Sequence, residues 1–171
     1  RSFIDQFANI NQGVAAGERI FTILDAESEV KDKEDASTFE GLKEAIELRN
    51  VHFSYDGERE VINDVSIKIK KGQTIALVGP SGGGKSTLSE LIPRFYDVNA
   101  GEILFDGKSI KDYTQESLRS KMSIVSQDTV LFNDSIEGNI LMGRPTATHE
   151  EVVAACKVAN AHGFISEASE G

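Results

Sequence analysis

The chain has 171 residues, of which 39% are hydrophobic and 27% charged, enough for one globular domain with an extension. Its 28 Asp and Glu against 18 Lys and Arg give a formal net charge of −10, which argues against a nucleic-acid-binding surface. No apolar run approaches the roughly 20 residues of a membrane helix and no basic leader precedes one, so a soluble chain is expected. Cys156 is the only cysteine, which excludes an intrachain disulfide or a thiolate metal site, fits a reducing compartment, and reads as a packing residue.

In chain order, residues 1–25 read as a helix. The sequence starts on Arg1 with no capping residue before the helical pattern, so a start inside a longer helix is expected. Phe3, Phe7, Ile10, Val14, Gly17, Phe21 and Leu24 fall on one helical stripe that needs a partner. The partner is either the core of this domain or a neighbour packed against a helix arriving from a preceding domain. Residues 26–43 are acidic and poor in large apolar residues, with Glu27, Glu29, Asp32, Glu34, Asp35 and Glu40, and read as a linker.

From residue 44 the pattern becomes that of a mixed domain. Ile46 to Leu48 and Val51 to Tyr55 alternate as half-buried strands, as does Val65 to Ile69, which predicts antiparallel strands joined by turns. Thr74 to Val78 and Ser123 to Val125 predict short parallel strands buried on both faces. Leu88 to Tyr96 predicts a helix, and Gly101 to Phe105 a strand closed by the Asp106-Gly107 turn. The last helix is predicted to start at Thr148, with Glu151 closing a capping box and Val152, Val153 and Cys156 turned inward.

Between strand and helix, Gly79-Pro80-Ser81-Gly82-Gly83-Gly84-Lys85-Ser86-Thr87 matches G-x-x-x-x-G-K-[ST], a phosphate-binding loop. Glycines reach backbone angles closed to other residues, so successive N–H groups can turn inward around phosphates. Lys85 is expected at the β- and γ-phosphates, Ser86 on Mg²⁺, and Thr87 at the α-phosphate and the helix start.

Phe53-Ser54-Tyr55, Val61 to Ser66, the phosphate loop, Arg94-Phe95-Tyr96-Asp97 and Gly101 to Gly107 occur in this order. They are followed by Leu118-Arg119, Ile124 to Ile136, Asn139-Ile140 and Ala161 to Ile165. Over its whole length the chain resembles the nucleotide-binding domain of an ATP-binding-cassette exporter of the bacterial lipid and multidrug type. The resemblance implies an α/β fold: a P-loop NTPase core of parallel strands with helices, plus an antiparallel β-subdomain, preceded by an amphipathic helix. Residues 1–25 would be the cytoplasmic end of the last transmembrane helix, 26–43 an acidic linker, and 44–171 the N-terminal part of the cassette.

Carried over by position, the resemblance gives Tyr55 the role of stacking on adenine, with Val61 flanking the same base. Gln127 matches the glutamine that reaches Mg²⁺ and the attacking water. Phe132 falls where such exporters meet the cytoplasmic helices of their membrane domain, and should be partly exposed. Gly83 stands where many relatives carry Ser or another small residue. The cofactors implied are ATP and Mg²⁺, bound by Tyr55, Val61 and residues 79–87, with Lys85 and Gln127 catalytic and Ser86 and Gln127 on the metal.

The implied partners are a membrane domain of the same polypeptide, met around Gln127 and Phe132, and a second nucleotide-binding domain, at the cytoplasmic face of the cell membrane. No LSGGQ-like stretch, no later strand ending in consecutive acidic residues and no switch histidine is found, since His52, His149 and His162 do not fit that role by order. The cassette therefore reads as incomplete, with negligible ATPase activity and a tendency to self-associate. The function implied for the intact protein is export of a lipid or drug-like substrate driven by ATP. The alternative is a soluble cassette ATPase of DNA repair or translation, which would lack the amphipathic start. The cargo is not legible in this sequence.

Overall fold

A computed structural model describes residues 2–26, 28–126 and 129–168, with backbone alone for residues 2–9. The chain divides into two compact units, Arg1–Ser123 and Ile124–Gly171.

The first unit opens with helix α1, Ser2–Leu24. Of the described members of the predicted stripe, Ile10, Val14, Phe21 and Leu24 are exposed and Gly17 is half-buried. No helix among the described residues is long and apolar enough to cross a membrane.

The core is a four-stranded antiparallel sheet in the order β2-β1-β3-β4, built from β1 (Ala45–Phe53), β2 (Ile62–Lys70), β3 (Ala100–Phe105) and β4 (Lys108–Ser109). The two short strands predicted at 46–48 and 51–55 are one strand, bulged where the register shifts between Leu48 and Val51 and where Asn50 takes φ 45°. Gly101 lets β3 approach that bulge: its φ is +75°, and a Cβ there would lie 2.1 Å from the Asn50 carbonyl oxygen. The β3–β4 turn is as predicted, with Asp106 and Gly107 both at positive φ, as a two-residue hairpin requires.

Asp106 also ties the start of β1. Its carboxylate accepts the Lys43, Glu44 and Ala45 N–H groups at 2.8, 2.6 and 3.0 Å. Desolvation raises its pKa, but these three bonds outweigh it and hold the group below its ordinary 3.8. Its contribution to stability is thus fully present above pH 3.8 and is lost as pH falls through the lower folded value. Asp106→Ala is expected to cost about 2 kcal/mol at pH 7, from charge-assisted bonds to backbone. The gap between variant and parent urea midpoints should narrow below pH 3.8.

Two predictions about backbone order are corrected. Thr74 to Val78 and Ser123 to Val125 form no ladder among the described residues, and no parallel strand pair supports them. Val78 and Val125 are 93% and 99% exposed. An apolar run confers strand propensity, but a buried parallel strand exists only where neighbours cover both its faces and both its edges. The predicted linker is also not a loose segment. Val30 and Phe39 are buried, and Phe39 packs edge-on against Phe105 and Tyr113. Between them, Gln115 N–H donates to Asp32, Ser37 N–H to the Asp112 carbonyl and Thr114 N–H to the Ser37 carbonyl. These bonds stitch residues 30–39 across the turn after β4 and helix α3, Gln115–Arg119.

The second unit holds helices α4 (Ile136–Leu141), α5 (His149–Val158) and α6 (His162–Ser166). Thr148 and Glu151 form the predicted capping box of α5, with Val152 and Cys156 buried. The chain does not end its helices there, because Asn160 at φ 57° terminates α5 and a further short helix follows.

Candidate functional site

The predicted phosphate loop leads directly into helix α2, Lys85–Leu91, which starts and ends earlier than its sequence pattern suggested. It starts at Lys85 because Gly84, at φ 76°, is its N-cap, and the first intrahelical bond runs from Leu88 N–H to the Gly84 carbonyl. The Lys85, Ser86 and Thr87 N–H groups precede that bond, so they lack intrahelical acceptors. Gly84 is buried against the sheet, where a Cβ would meet Ile62 Cδ1 at 2.7 Å and the Val61 carbonyl at 2.8 Å. Val61 is thereby brought against the loop.

Lys85 folds back over the loop. Its ammonium donates to the Gly79 carbonyl at 3.0 Å and the Pro80 carbonyl at 2.6 Å, while Gly83 N–H donates to Pro80. The hydroxyl-bearing Ser86 is exposed at the helix start. Among the described residues there is no group of three or more His, Cys, Asp or Glu that could hold a metal ion. Mg²⁺ that binds beside nucleotide phosphates needs only one or two protein ligands, and the exposed Ser86 hydroxyl suits one of them. Gln127 lies outside the described residues.

The far end of α2 was not legible as a special site. Arg94 N–H bonds the Leu91 carbonyl and Phe95 N–H the Glu90 carbonyl, the paired bonds of a Schellman cap. Arg94 occupies the left-handed position usually given to glycine, at φ 58°. Its side chain explains the choice. It is 2% exposed, reaches Asp97 at 2.9 Å and the Lys31 carbonyl at 3.0 Å, and faces Asp32 at 3.6 Å. Arg119 caps the same turn, donating to the Pro93 and Arg94 carbonyls.

Tyr55 stands two residues beyond β1, ahead of a turn fastened by Asp56, whose carboxyl is held at about 2 by the Arg59 and Glu58 N–H groups and the Ser54 hydroxyl. The Tyr55 ring meets Phe53 and Tyr96 edge-to-face at 4.8 and 5.1 Å and stays 53% exposed. Its hydroxyl lies 3.1 Å from Thr87 Oγ1 and 3.2 Å from Glu90 Oε2. The Thr87 bond lowers the phenol pKa, but desolvation and the Glu90 carboxylate outweigh it and leave the phenol above its ordinary 10.0. Thr87 is buried with its hydroxyl on Tyr55, a partner that the sequence reading did not give it.

In the second unit, Phe132 is 56% exposed and lines an apolar groove of about 580 Å³ with Leu131, Ile136, Ile140 and Phe164. Asn139 fixes it: its Oδ1 accepts the Phe132 N–H at 2.8 Å and its Nδ2 donates to the Phe132 carbonyl at 3.1 Å.

Comparison with known proteins agrees with this geometry. The sequence model of the ABC transporter family matches residues 62–170. The chain is 45% identical over its whole length to the putative multidrug export ATP-binding/permease protein YgaD of Bacillus subtilis (strain 168), of which it covers 30%. It is 44% identical to the ATP-dependent lipid A-core flippase of Desulfotalea psychrophila (strain LSv54 / DSM 12343), over 96% of this chain and 28% of that protein. A bacterial Atm1-family ABC exporter solved with ATP bound superposes with a TM-score of 0.85 at 41% identity, over 96% of this chain and 29% of that one. The chain thus spans less than a third of each of these relatives. A glycine loop closed by Lys85, an open aromatic ring tied to the helix behind it, and these similarities agree: the chain belongs to the ABC transporter family.

Proposed function

We propose that the chain is the ATP-binding portion of an exporter, in which ATP binding and hydrolysis drive a lipid or drug-like substrate across a membrane. The observation that carries this reading is the pairing of a G-x-x-x-x-G-K-[ST] loop with a half-exposed Tyr55 hydrogen-bonded to the helix that follows it. Bound ATP would supply the phosphoanhydride bond whose cleavage releases energy. Lys85 exchanges the Gly79 and Pro80 carbonyls for phosphate oxygens, and the N–H groups from Gly82 to Thr87 orient the chain of phosphates. Tyr55 offers its open surface to adenine, and Val61 flanks it. Ser86 and Gln127 would hold Mg²⁺.

The relatives named as export proteins support a membrane domain on the same polypeptide, and give no support to a role in DNA repair or translation. The exposed groove around Phe132 suits an apolar contact with that membrane domain, at the cytoplasmic face of the membrane. A second copy of the cassette would face the nucleotide. The test is calorimetric titration of the chain with Mg-ATP and with ATP plus chelator. One saturable site per chain, weakened by the chelator, is expected, and the absence of saturable heat overturns the reading.

A further inference from the structure

We propose that Glu90 is a positioning residue for base recognition: through the Tyr55 hydroxyl it fixes the ring that receives the base onto the helix that carries the phosphate loop. The proposal rests on the nucleotide-binding role of Tyr55 given above.

Tyr55 has no strand partner to hold it, because β1 ends at Phe53 and the ring sits on the turn that follows. Two edge-to-face contacts limit its tilt but leave rotation about the ring axis and sliding open. The hydroxyl removes that freedom. Thr87 and Glu90 are three residues apart on α2 and therefore lie on one face of it. A phenol has one proton, and the carboxylate at 3.2 Å is the stronger acceptor, so Tyr55 donates to Glu90 while the Thr87 hydroxyl donates to the phenolic oxygen. Both polar groups of the contact are thus satisfied at once. Thr87 closes the phosphate-loop motif, so base platform and phosphate cradle share a helix face and are held in one relative position before any ligand arrives.

A pre-set ring spares the ligand the cost of ordering it, which for one side chain corresponds to roughly three- to tenfold in affinity. The benefit goes only to ligands that carry a base. Inorganic tripolyphosphate, which meets the loop alone, should gain nothing.

The experiment compares calorimetric Kd values for Mg-ATP and magnesium tripolyphosphate in the unsubstituted chain, Tyr55→Phe, Glu90→Ala, Glu90→Gln and the double variant Tyr55→Phe/Glu90→Ala. Tyr55→Phe keeps the ring and removes the hydroxyl. Both it and Glu90→Ala are expected to weaken Mg-ATP roughly three- to tenfold while leaving tripolyphosphate within about twofold. Glu90→Gln, whose amide oxygen still accepts from the phenol, should restore most of the affinity. The double variant should be no worse than Tyr55→Phe alone, because that change already removes the bond to Glu90. Retained tripolyphosphate binding certifies that each variant keeps a folded loop. Equal losses for both ligands, no loss for either, or multiplicative losses in the double variant overturn the proposal. Tripolyphosphate binding without any gain for ATP in the unsubstituted chain overturns the base role of Tyr55 and this proposal while leaving the phosphate loop standing. Failure of both ligands overturns the proposed function and the positioning role with it.

Discussion

Lys85→Ala is expected to weaken Mg-ATP binding by at least about a hundredfold, corresponding to roughly 3 kcal/mol for lost charge-assisted contacts to phosphate. The same change should leave the urea midpoint nearly unmoved. Among the described residues the ammonium bonds only to the Gly79 and Pro80 carbonyls, which belong to exposed residues and can be hydrated when it is gone. Surface substitutions of this kind usually shift stability by about 0.5 kcal/mol or less. Calorimetry on the variant, paired with a urea titration, separates loss of a ligand contact from loss of the loop. A large drop in stability would mean that Lys85 holds the loop together and that its effect on binding is indirect.

The largest stability effect is expected at Gly101. An alanine there adds the left-handed penalty of about 1–2 kcal/mol and a Cβ at 2.1 and 2.4 Å from the Asn50 and Arg49 carbonyl oxygens. Those atoms are backbone in the bulge of β1, so they can yield only by parting β1 from β3. With overpacking at about 1–3 kcal/mol, the total is roughly 4 kcal/mol. Gly107→Ala is the internal comparison. Its φ of +79° carries the same conformational penalty, but its Cβ would meet nothing within 4 Å, so about 1–2 kcal/mol is expected. Urea unfolding of the two variants side by side reads the packing contribution as their difference. Equal losses would mean that the bulge relaxes freely.

Where sequence reading succeeded, the deciding signals were local. The Thr148-to-Glu151 box, the Asp106-Gly107 turn and the loop from Gly79 to Thr87 each draw their meaning from neighbours within a few positions. Alternation in Val65, Ile67 and Ile69 likewise sufficed to find β2. Where it failed, the partner was remote. The acidic stretch 26–43 read as a linker because its composition lacks large apolar residues, yet its bonds to Arg94, Asp112 and Gln115 span 63 to 85 positions. Nothing in the local pattern of Asp32 or Ser37 announces them. Arg94 shows a subtler failure, since glycine or asparagine is the ordinary signal for a left-handed helix end, and α2 stops without either. At the candidate site, the residues of the loop were legible, and so was an exposed Phe132. The bonds from Tyr55 to Thr87 and Glu90 were not, because a turn residue's hydroxyl can reach a helix 32 or 35 positions away only once the sheet has brought the two together.

The seam that begins at Val30 sets a limit on movement. From Leu24, where α1 ends, to Val30, whose carbonyl is already held by Gln115, the chain has about six peptide links, roughly 20 Å at full stretch. So short a leash leaves little slack. Any pull on α1 that exceeds it arrives at Lys31 and Asp32, and through them at Arg94, the residue that ends the helix beginning at Lys85. Tension applied at one end of the unit and occupancy of the phosphate loop at the other would then be felt by the same short helix.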